Sequence, residues 1–193
     1  GMKSIFSLLM LAGPQRPMMV AAIVLRVFEG LVATLPLGIV LIAAARIRGI
    51  QGNDLADPST LAACAKHFAG YGFTEGGRDY NTVDMSEQRL REMVLPPFKA
   101  AADAGCATFM NAFNTLNGVP ASMNKHLLTD ILRGEWAWKG MVVSDWNSFG
   151  EVIIHGAAAD DEEASAKCIT AGSDMDMAGG TFQRGMKKAL DNG

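Results

Sequence analysis

The sequence has little that would indicate a metal centre or a disulfide framework. It contains three cysteines, Cys64, Cys106 and Cys168, and an odd number cannot pair completely within one chain. It has no CxxC pair and no His/Cys cluster with metal-ligand spacing. Each cysteine lies in an apolar or helical stretch, so we expect buried thiols. We expect no metal and no other cofactor.

An excess of charge of one sign is also lacking. The chain has 17 Lys and Arg against 20 Asp and Glu, a net charge of −3. This balance gives no sign of a nucleic-acid partner. The 193 residues, of which 49% are hydrophobic, suffice for one ordinary domain with a core.

One apolar run ends in a carboxylate followed by an indole, in residues 140–146 (GMVVSDW). Residues 141–143 are typical of a buried strand that delivers Asp145 to the surface at its C-terminal end. Parallel α/β folds place their catalytic groups at that end. Two interpretations follow from this stretch alone: Ser144 and Asp145 cap the next helix, or Asp145 is a nucleophile.

The rest of the chain beyond residue 60 alternates between apolar strands and helices. Such alternation, at spacings of roughly 30 to 40 residues, indicates βα units around a parallel sheet. About four units form half of an eight-stranded barrel, which typically needs about 250 residues. The predicted strands are 61–68, 106–113, 141–143 and 172–177, and the predicted helices are 86–104, 123–133, 160–171 and 181–190.

Residues 18–45 are almost continuously apolar, with Arg26 and Glu29 as their charges. Three interpretations stay open. The segment is a membrane helix, because about 20 apolar residues span a bilayer; or it continues a secretory signal that begins with residues 2–11; or it is a buried helical hairpin broken at residues 34–38 (TLPLG).

Four segments together closely resemble glycoside hydrolases of family 3, the β-glucosidase type. They are residues 63–72 (ACAKHFAGYG), 108–118 (TFMNAFNTLNG), 143–146 (VSDW) and 171–177 (AGSDMDM). The resemblance runs from about residue 46 to residue 193, in the family's order and spacing.

The resemblance implies an α/β fold, a partial (β/α)8 (TIM-type) barrel of about four βα units, preceded by an apolar helical segment. We therefore divide the chain into residues 1–45 and 46–193. Residues 1–45 do not match the family, and they faintly resemble the first membrane helix of a transporter.

The resemblance also implies retaining hydrolysis of terminal β-D-glucosides, with Asp145 as the nucleophile. A carboxylate nucleophile forms a covalent glycosyl-enzyme with the sugar, and a second carboxyl serves as acid and base. Lys66 and His67 match the family pair that hydrogen-bonds sugar hydroxyls, and Trp146 matches the aromatic residue of the sugar subsite.

Two further substrate-binding residues come from the same resemblance. Met110 stands where relatives place a Met or Tyr near the nucleophile, and Arg78 lies in a motif of bacterial members, residues 76–81 (GGRDYN). Structural alternatives stay open for each matched residue. They are a solvated Lys66, a core His67, a core Trp146, strand packing by Met110, and an Arg78 that braces its loop through Asp79 or Glu75.

The family's acid/base Glu, and the Asp and Arg of the first barrel half, have no counterpart in this sequence. Glu75, Glu151 or a carboxylate of a partner chain are the available substitutes. General acid/base catalysis contributes about 10²–10⁴-fold, so we expect a weakened enzyme. The alternatives are an inactive fragment with a structural or sugar-binding role, and a membrane-anchored protein.

An open half-barrel has unpaired strand edges and a bare inner face, which favour association. We expect a β-glucoside or oligosaccharide substrate, and either a homo-oligomer formed through the barrel edges, a face covered by residues 18–45, or poor folding. The family implies a periplasmic or secreted location, with membrane attachment through residues 18–45 or a cytoplasmic location as alternatives.

Overall fold

A computed structural model describes residues 16–192 of the chain. The chain forms two compact units, Gly1–Ile42 and Ala43–Gly193. The functional division proposed from the sequence, between residues 45 and 46, stays a prediction. Residues 2–11, on which the secretory-signal interpretation depends, lie outside the described residues.

The first described element is helix α1, Arg16–Gln51, a single helix of 36 residues. The hairpin broken at residues 34–38 is therefore wrong. A proline in a helix removes one backbone donor and costs about 3 kcal/mol, and the backbone continues through Pro36 despite that cost. Within residues 16–192, no helix combines the length and the apolar character that a bilayer crossing requires.

The central sheet is parallel, as the sequence predicts. Along the described chain the strands are β1 Cys64–Phe68, β2 Thr82–Val83, β3 Thr108–Asn111, β4 Thr115–Leu116, β5 Val119–Pro120 and β6 Met141–Val143. The order in the central sheet is β1-β3-β6, with β3 parallel to both neighbours. The fourth predicted strand, 172–177, is reduced to one parallel bridge between Val143 and Met175.

A second, smaller sheet was not predicted. It has the order β2-β4-β5, with β2 parallel to β4 and β4 antiparallel to β5. The turn between β4 and β5 is Asn117-Gly118, and both residues have positive φ angles, 49° and 81°. Asn-Gly is a strong hairpin signal, so this turn was visible in the sequence.

The helix predicted at 86–104 is present, but it consists of three successive runs. They are α2 Glu87–Arg89, a π-type turn Leu90–Val94, and α3 Leu95–Asp103. The Ser86 side chain accepts a hydrogen bond from the Arg89 N–H and so caps α2. The two prolines, Pro96 and Pro97, lie in the first turn of α3, where their missing donors cost least.

The three remaining predicted helices are present, and a further helix that was not predicted lies between the first and the second of them. A π-type helix spans His126–Glu135, and it is followed by α4 Ser148–Ile154, α5 Asp161–Ala171 and α6 Thr181–Asn192. The Asp160 carboxylate accepts a hydrogen bond from the Glu163 N–H and so caps α5. Parallel strands followed by helices confirm the partial α/β barrel.

The core lies between the central sheet and the helices. Phe68 and Phe109 are fully buried, and their ring centroids lie 5.5 Å apart in an edge-on arrangement. Cys106 and Cys168 are buried thiols, as expected. The expectation is wrong for Cys64, which is exposed at the start of β1, the strand at one end of the central sheet's strand order.

Candidate active site

The carboxyl ends of β1, β3 and β6 meet at one edge of the sheet because the strands are parallel. This edge brings together His67 of β1 and Asp145, which follows β6. The His67 Nε2 lies 3.1 Å from the Asp145 Oδ2. Nearby, the Lys66 Nζ lies 3.9 Å from the sulfur of Met110 in β3. These two contacts therefore involve four of the six site residues predicted from the sequence.

Asp145 is 8% exposed, and both of its carboxylate oxygens have partners. Oδ1 accepts a hydrogen bond of 2.7 Å from the Trp146 N–H, and Oδ2 faces His67. Helix α4 begins at Ser148, and its N-cap Asn147 makes no side-chain cap bond. The interpretation of Ser144 and Asp145 as helix caps is therefore wrong, because both side chains bond elsewhere.

Ser144 joins the end of β6 to the segment 172–177, which was predicted as the fourth strand. Its hydroxyl donates to the Asp145 carbonyl at 2.8 Å and accepts from the Met177 N–H at 2.7 Å. Its own N–H donates to the Met175 carbonyl. Ser144 is fully buried, so these bonds fix the backbone on which Asp145 stands.

His67 is half-buried, and its pKa is lowered from the usual value. Burial is the largest cause, and the Lys66 charge acts in the same direction, whereas Asp145 opposes both. The imidazole is therefore neutral at neutral pH, and we assign the Nε2 as the protonated nitrogen because it faces a carboxylate. His67 is a partner of Asp145, which does not support the core-histidine alternative.

Lys66 and Met110 lie next to the His67–Asp145 pair. Lys66 precedes His67 in β1, and Met110 lies in β3, the strand between β1 and β6. Lys66 is exposed, and Met110 is partly exposed at the end of β3. Lys66 is a cation next to the site, which favours binding of electron-rich hydroxyl groups.

Trp146 is 68% exposed, so the core alternative for this residue is wrong. Its backbone N–H is bonded to Asp145, while its indole ring faces solvent. A large aromatic surface that stays in water next to a carboxylate is the kind of group that binding would cover.

Arg78 is exposed, and its backbone N–H donates to the Glu75 carbonyl. In the described part of the chain, no hydrogen bond or ion pair joins its guanidinium to His67, Asp145, Asp79 or Glu75. No contact of the guanidinium therefore supports either role that the sequence offered for Arg78, binding of a sugar or bracing of the loop through Asp79 or Glu75. Within residues 16–192, the side chains of the two substitute acids, Glu75 and Glu151, likewise make no hydrogen bond or ion pair with His67 or Asp145.

Sequence reasoning missed Tyr71. Its hydroxyl donates to the Asp79 Oδ1 at 3.0 Å, and its ring centroid lies 5.3 Å from that of His67. Burial, followed by the hydrogen bond with Asp79, raises the pKa of Tyr71 to about 12. The signal was a tyrosine four residues after His67 in a Gly-rich loop.

No cluster of three or more His, Cys, Asp or Glu side chains that could hold a metal ion occurs in residues 16–192. The arrangement is a carboxylate, an imidazole, an ammonium group and an exposed indole at one sheet edge. Such a set can present a nucleophile and hydroxyl-binding groups to a polar substrate.

Comparison with known proteins gives one consistent result. Residues 36–193 match the Glycosyl hydrolase family 3 N terminal domain. The chain is 45% identical over 147 residues to a periplasmic beta-glucosidase of Salmonella typhimurium, covering 76% of this chain and 19% of the relative. It is 43% identical over 135 residues to a beta-xylosidase of Formosa agariphila, covering 68% of this chain and 19% of the relative.

Solved structures agree with the sequence relatives. The structure of a beta-glucosidase from Listeria innocua in complex with isofagomine matches with a TM-score of 0.75 and 40% identity. The match covers 78% of this chain and 21% of that one. The chain thus spans about a fifth of the length of the relatives it matches.

Proposed function

The chain belongs to glycoside hydrolase family 3, and from that premise we propose that it carries the nucleophile side of a retaining β-glycosidase site. The proposed substrates are terminal β-D-glucosides. The observation that carries the proposal is the contact of 3.1 Å between His67 and Asp145 at the carboxyl end of the sheet.

In the proposed reaction, one Asp145 oxygen attacks the anomeric carbon of the sugar. The bond from that carbon to the glycosidic oxygen breaks, and the leaving group takes a proton from a general acid or, if it is sufficiently acidic, leaves as an anion. Water then attacks the same carbon and gives one proton to a general base or to solvent, and the bond to Asp145 breaks, which releases the carboxylate. The two displacements together retain the β configuration.

The contacts of Asp145 fit this task. Hydrogen bonds from the imidazole and from the Trp146 N–H hold the carboxylate in one orientation. Positioning of a reacting group within a fraction of an ångström is a large part of enzymatic rate enhancement. We assign the neighbouring Lys66 and His67 to sugar hydroxyls and the exposed Trp146 to the sugar face, with Met110 lining the floor. Arg78 stays a predicted substrate contact.

We also propose that copies of the chain associate through the open side of β1. Among residues 16–192, this strand pairs in the central sheet with β3 alone, and Leu61, just before it, is 73% exposed. An unpaired edge beside exposed apolar groups favours pairing with another chain. Sedimentation over a range of concentrations tests this; Leu61→Lys should weaken the association, and a monomer at every concentration would exclude it.

The proposed nucleophile is tested by covalent trapping. The reagent is a 2-deoxy-2-fluoro-β-glucoside that carries a dinitrophenolate leaving group. This leaving group departs without acid assistance, and the fluorine slows hydrolysis of the glycosyl-enzyme. Intact-mass measurement should show one added fluoroglucosyl group, and peptide mapping should place it on Asp145.

The matched controls are Asp145→Asn and Asp103→Asn. The first removes the nucleophile and should abolish labelling. The second removes an exposed helix carboxylate, bonded to Lys99, and should leave labelling unchanged. Labelling that persists in Asp145→Asn, or a folded protein that is never labelled, would contradict the proposal. A folded, unlabelled protein that still binds glucose would favour the non-catalytic sugar-binding alternative.

A further inference from the structure

A series of hydrogen bonds between buried polar residues ends at the backbone of Asp145. Four side chains form it, and each is at most 3% exposed: Asn111, Ser122, Ser148 and Ser173. They come from four different segments, which are the end of β3, the short helical turn after β5, the start of α4 and segment 172–177. We refer to these four residues as the polar network.

The bonds of the polar network follow one another in order. The Asn111 Nδ2 donates to the Ser173 hydroxyl at 2.9 Å, and that hydroxyl donates to the Ser122 carbonyl at 2.8 Å. The hydroxyl oxygens of Ser122 and Ser148 lie 2.8 Å apart. The Ser148 N–H then donates to the Asp145 carbonyl at 3.1 Å. The network thus joins β3 to the turn that carries the proposed nucleophile.

The orientation of the Asn111 amide follows from its partner. Ser173 has one hydroxyl hydrogen and uses it on the Ser122 carbonyl, so its oxygen accepts from the amide nitrogen of Asn111. The Asn111 Oδ1 is buried and makes no hydrogen bond within the described residues. A buried acceptor without a partner destabilises the fold, and a leucine of similar volume would avoid that cost. Stability alone therefore does not account for Asn111.

The register of the central sheet places Asn111 close to the nucleophile. Met110 of β3 pairs with Val143, the last residue of β6. The next residue of β3, Asn111, therefore lies at the level of the residue that precedes Asp145. Asp145 itself lies beyond β6, so its backbone position depends on the turn into α4 rather than on strand pairing.

We propose that Asn111 and Ser173 are positioning residues for the Asp145 nucleophile, and that they act through Ser122 and Ser148. This inference rests on the proposed function. Both side chains are buried, so neither contacts a sugar. They hold the start of α4, and the bond from Ser148 to the Asp145 carbonyl then limits the orientations of the carboxylate.

The first test measures trapping at Asp145 over a range of reagent concentrations. Ser173→Ala interrupts the network and should lower the labelling rate at saturating reagent about three- to tenfold, because small displacements of a reacting group slow its reaction strongly. The half-saturating concentration should change by less than about twofold, since no contact to the sugar is lost. Ser173→Thr keeps the hydroxyl and should restore part of the rate.

The matched control is Ser165→Ala. Ser165 is a fully buried serine of α5, and its hydroxyl donates to the carbonyls of Asp161 and Thr181. The control thus removes two hydrogen bonds of a buried serine, as Ser173→Ala does, but outside the polar network. It should leave the labelling rate unchanged.

Asn111→Leu separates positioning from stability. The variant removes the bond to Ser173 together with the unpaired Oδ1, so its urea midpoint should equal or exceed that of the unmodified chain. Its labelling rate at saturating reagent should nevertheless fall by about threefold or more. A rate equal to that of the unmodified chain in both Asn111→Leu and Ser173→Ala would overturn the inference.

Amide hydrogen exchange gives a second readout that needs no chemistry at Asp145. The Trp146 N–H donates to the Asp145 Oδ1, so its exchange rate reports how firmly the carboxylate is held. Ser173→Ala and Asn111→Leu should speed this exchange about threefold or more, and Ser165→Ala should not. Unchanged exchange in the first two variants, or an equal change in Ser165→Ala, would also overturn the inference.

The two readouts separate this inference from the proposed function. Circular dichroism establishes that each variant is folded. A folded, unmodified chain that is never labelled contradicts the proposed function, and exchange at Trp146 then still decides whether the polar network positions the Asp145 carboxylate.

Discussion

The imidazole of His67 and the carboxylate of Asp145 approach to 3.1 Å, although β3 lies between the strands that carry them. The contact is possible because His67 is the last residue but one of β1 and Asp145 lies just beyond β6, where side chains of alternate strands can meet across the sheet edge. Two residues that are distant in sequence thus form the electrostatic centre of the site.

The titration of His67 should report this contact. We expect a pKa below 6.5, because burial and Lys66 disfavour the charged ring more than Asp145 favours it. Asp145→Asn should lower the pKa of His67 further, and Lys66→Gln should raise it. NMR titration of the His67 ring protons measures these shifts. A His67 midpoint above 6.5 would contradict the expected balance.

The same shift predicts how stability depends on pH. Between the lowered folded pKa of His67 and its unfolded value near 6.5, the unfolded chain binds more protons, so the free energy of unfolding rises with pH. The stability that the neutral His67 contributes is present in full above the pKa of the unfolded state. It is lost as the pH falls through the pKa of the folded state. The free energy of unfolding, measured with urea at a series of pH values, should rise less steeply with pH in this window for His67→Gln than for the unmodified chain. An unchanged dependence on pH would exclude the contribution of His67.

Hydrolysis of an activated aryl β-glucoside should depend on Asp145. Asp145→Ala should lower the rate by about 10³-fold or more, because the variant lacks the carboxylate that would form the glycosyl-enzyme. Release of the chromophore measures the rate. A fall of less than tenfold in a purified, folded variant would place the nucleophile elsewhere.

Ser144→Ala should reduce the rate of labelling at Asp145 without removing the nucleophile. The variant loses the bonds to the Asp145 carbonyl and the Met177 N–H, which fix the backbone under the carboxylate. We expect a loss of about 1–2 kcal/mol in unfolding free energy and a lower maximal labelling rate at saturating reagent. Ser144→Thr keeps the hydroxyl and should restore part of the rate. Equal rates in Ser144→Ala and the unmodified chain would exclude a positioning role.

Gln51 should stabilise the unit Ala43–Gly193 through three hydrogen bonds. Its Oε1 accepts from the N–H groups of Ala63 and Ala107, and its Nε2 donates to the Gly105 carbonyl. Gln51→Ala should cost about 3 kcal/mol of unfolding free energy, because buried backbone groups lose their partners. Gln51→Met fills the same space without the bonds, so it should lose a similar amount. A Met variant as stable as the unmodified chain would mean that packing matters more than the bonds.

Two glycine-to-alanine substitutions should have opposite effects on the urea midpoint. Gly49 lies in α1 with nothing within 4 Å of an added Cβ, so Gly49→Ala should stabilise by roughly 0.5–1 kcal/mol through helix propensity. At Gly185 in α6, an added Cβ would overlap the backbone carbonyl of Asp161 in α5. Gly185→Ala should destabilise by about 1–3 kcal/mol. If the two variants shifted the urea midpoint equally, α5 and α6 would pack less closely at Gly185 than the structure shows.

Much of the fold followed from local patterns. The apolar run before Asp145 and the alternation of strands and helices predicted β6 and the parallel sheet. The Asn-Gly signal of the hairpin across Asn117-Gly118 was also present in the sequence, but no strand was predicted there. The fourth strand, 172–177, was predicted from the alternation of strands and helices, but its sequence (GSDMDM) is poor in strand-forming residues, and the ladder that forms there is a single bridge.

By itself the sequence determined which residue types carry the chemistry and which strand ends they occupy, because apolar periodicity and the family's motifs are properties of short segments. Only the tertiary structure decided that His67 bonds to Asp145, that Trp146 faces solvent, and that Arg78 makes no contact with the pair in the described chain. It also assigned Tyr71 and Gln51 their partners. Such contacts depend on the strand register and on the course of loops between distant segments, which no local pattern specifies.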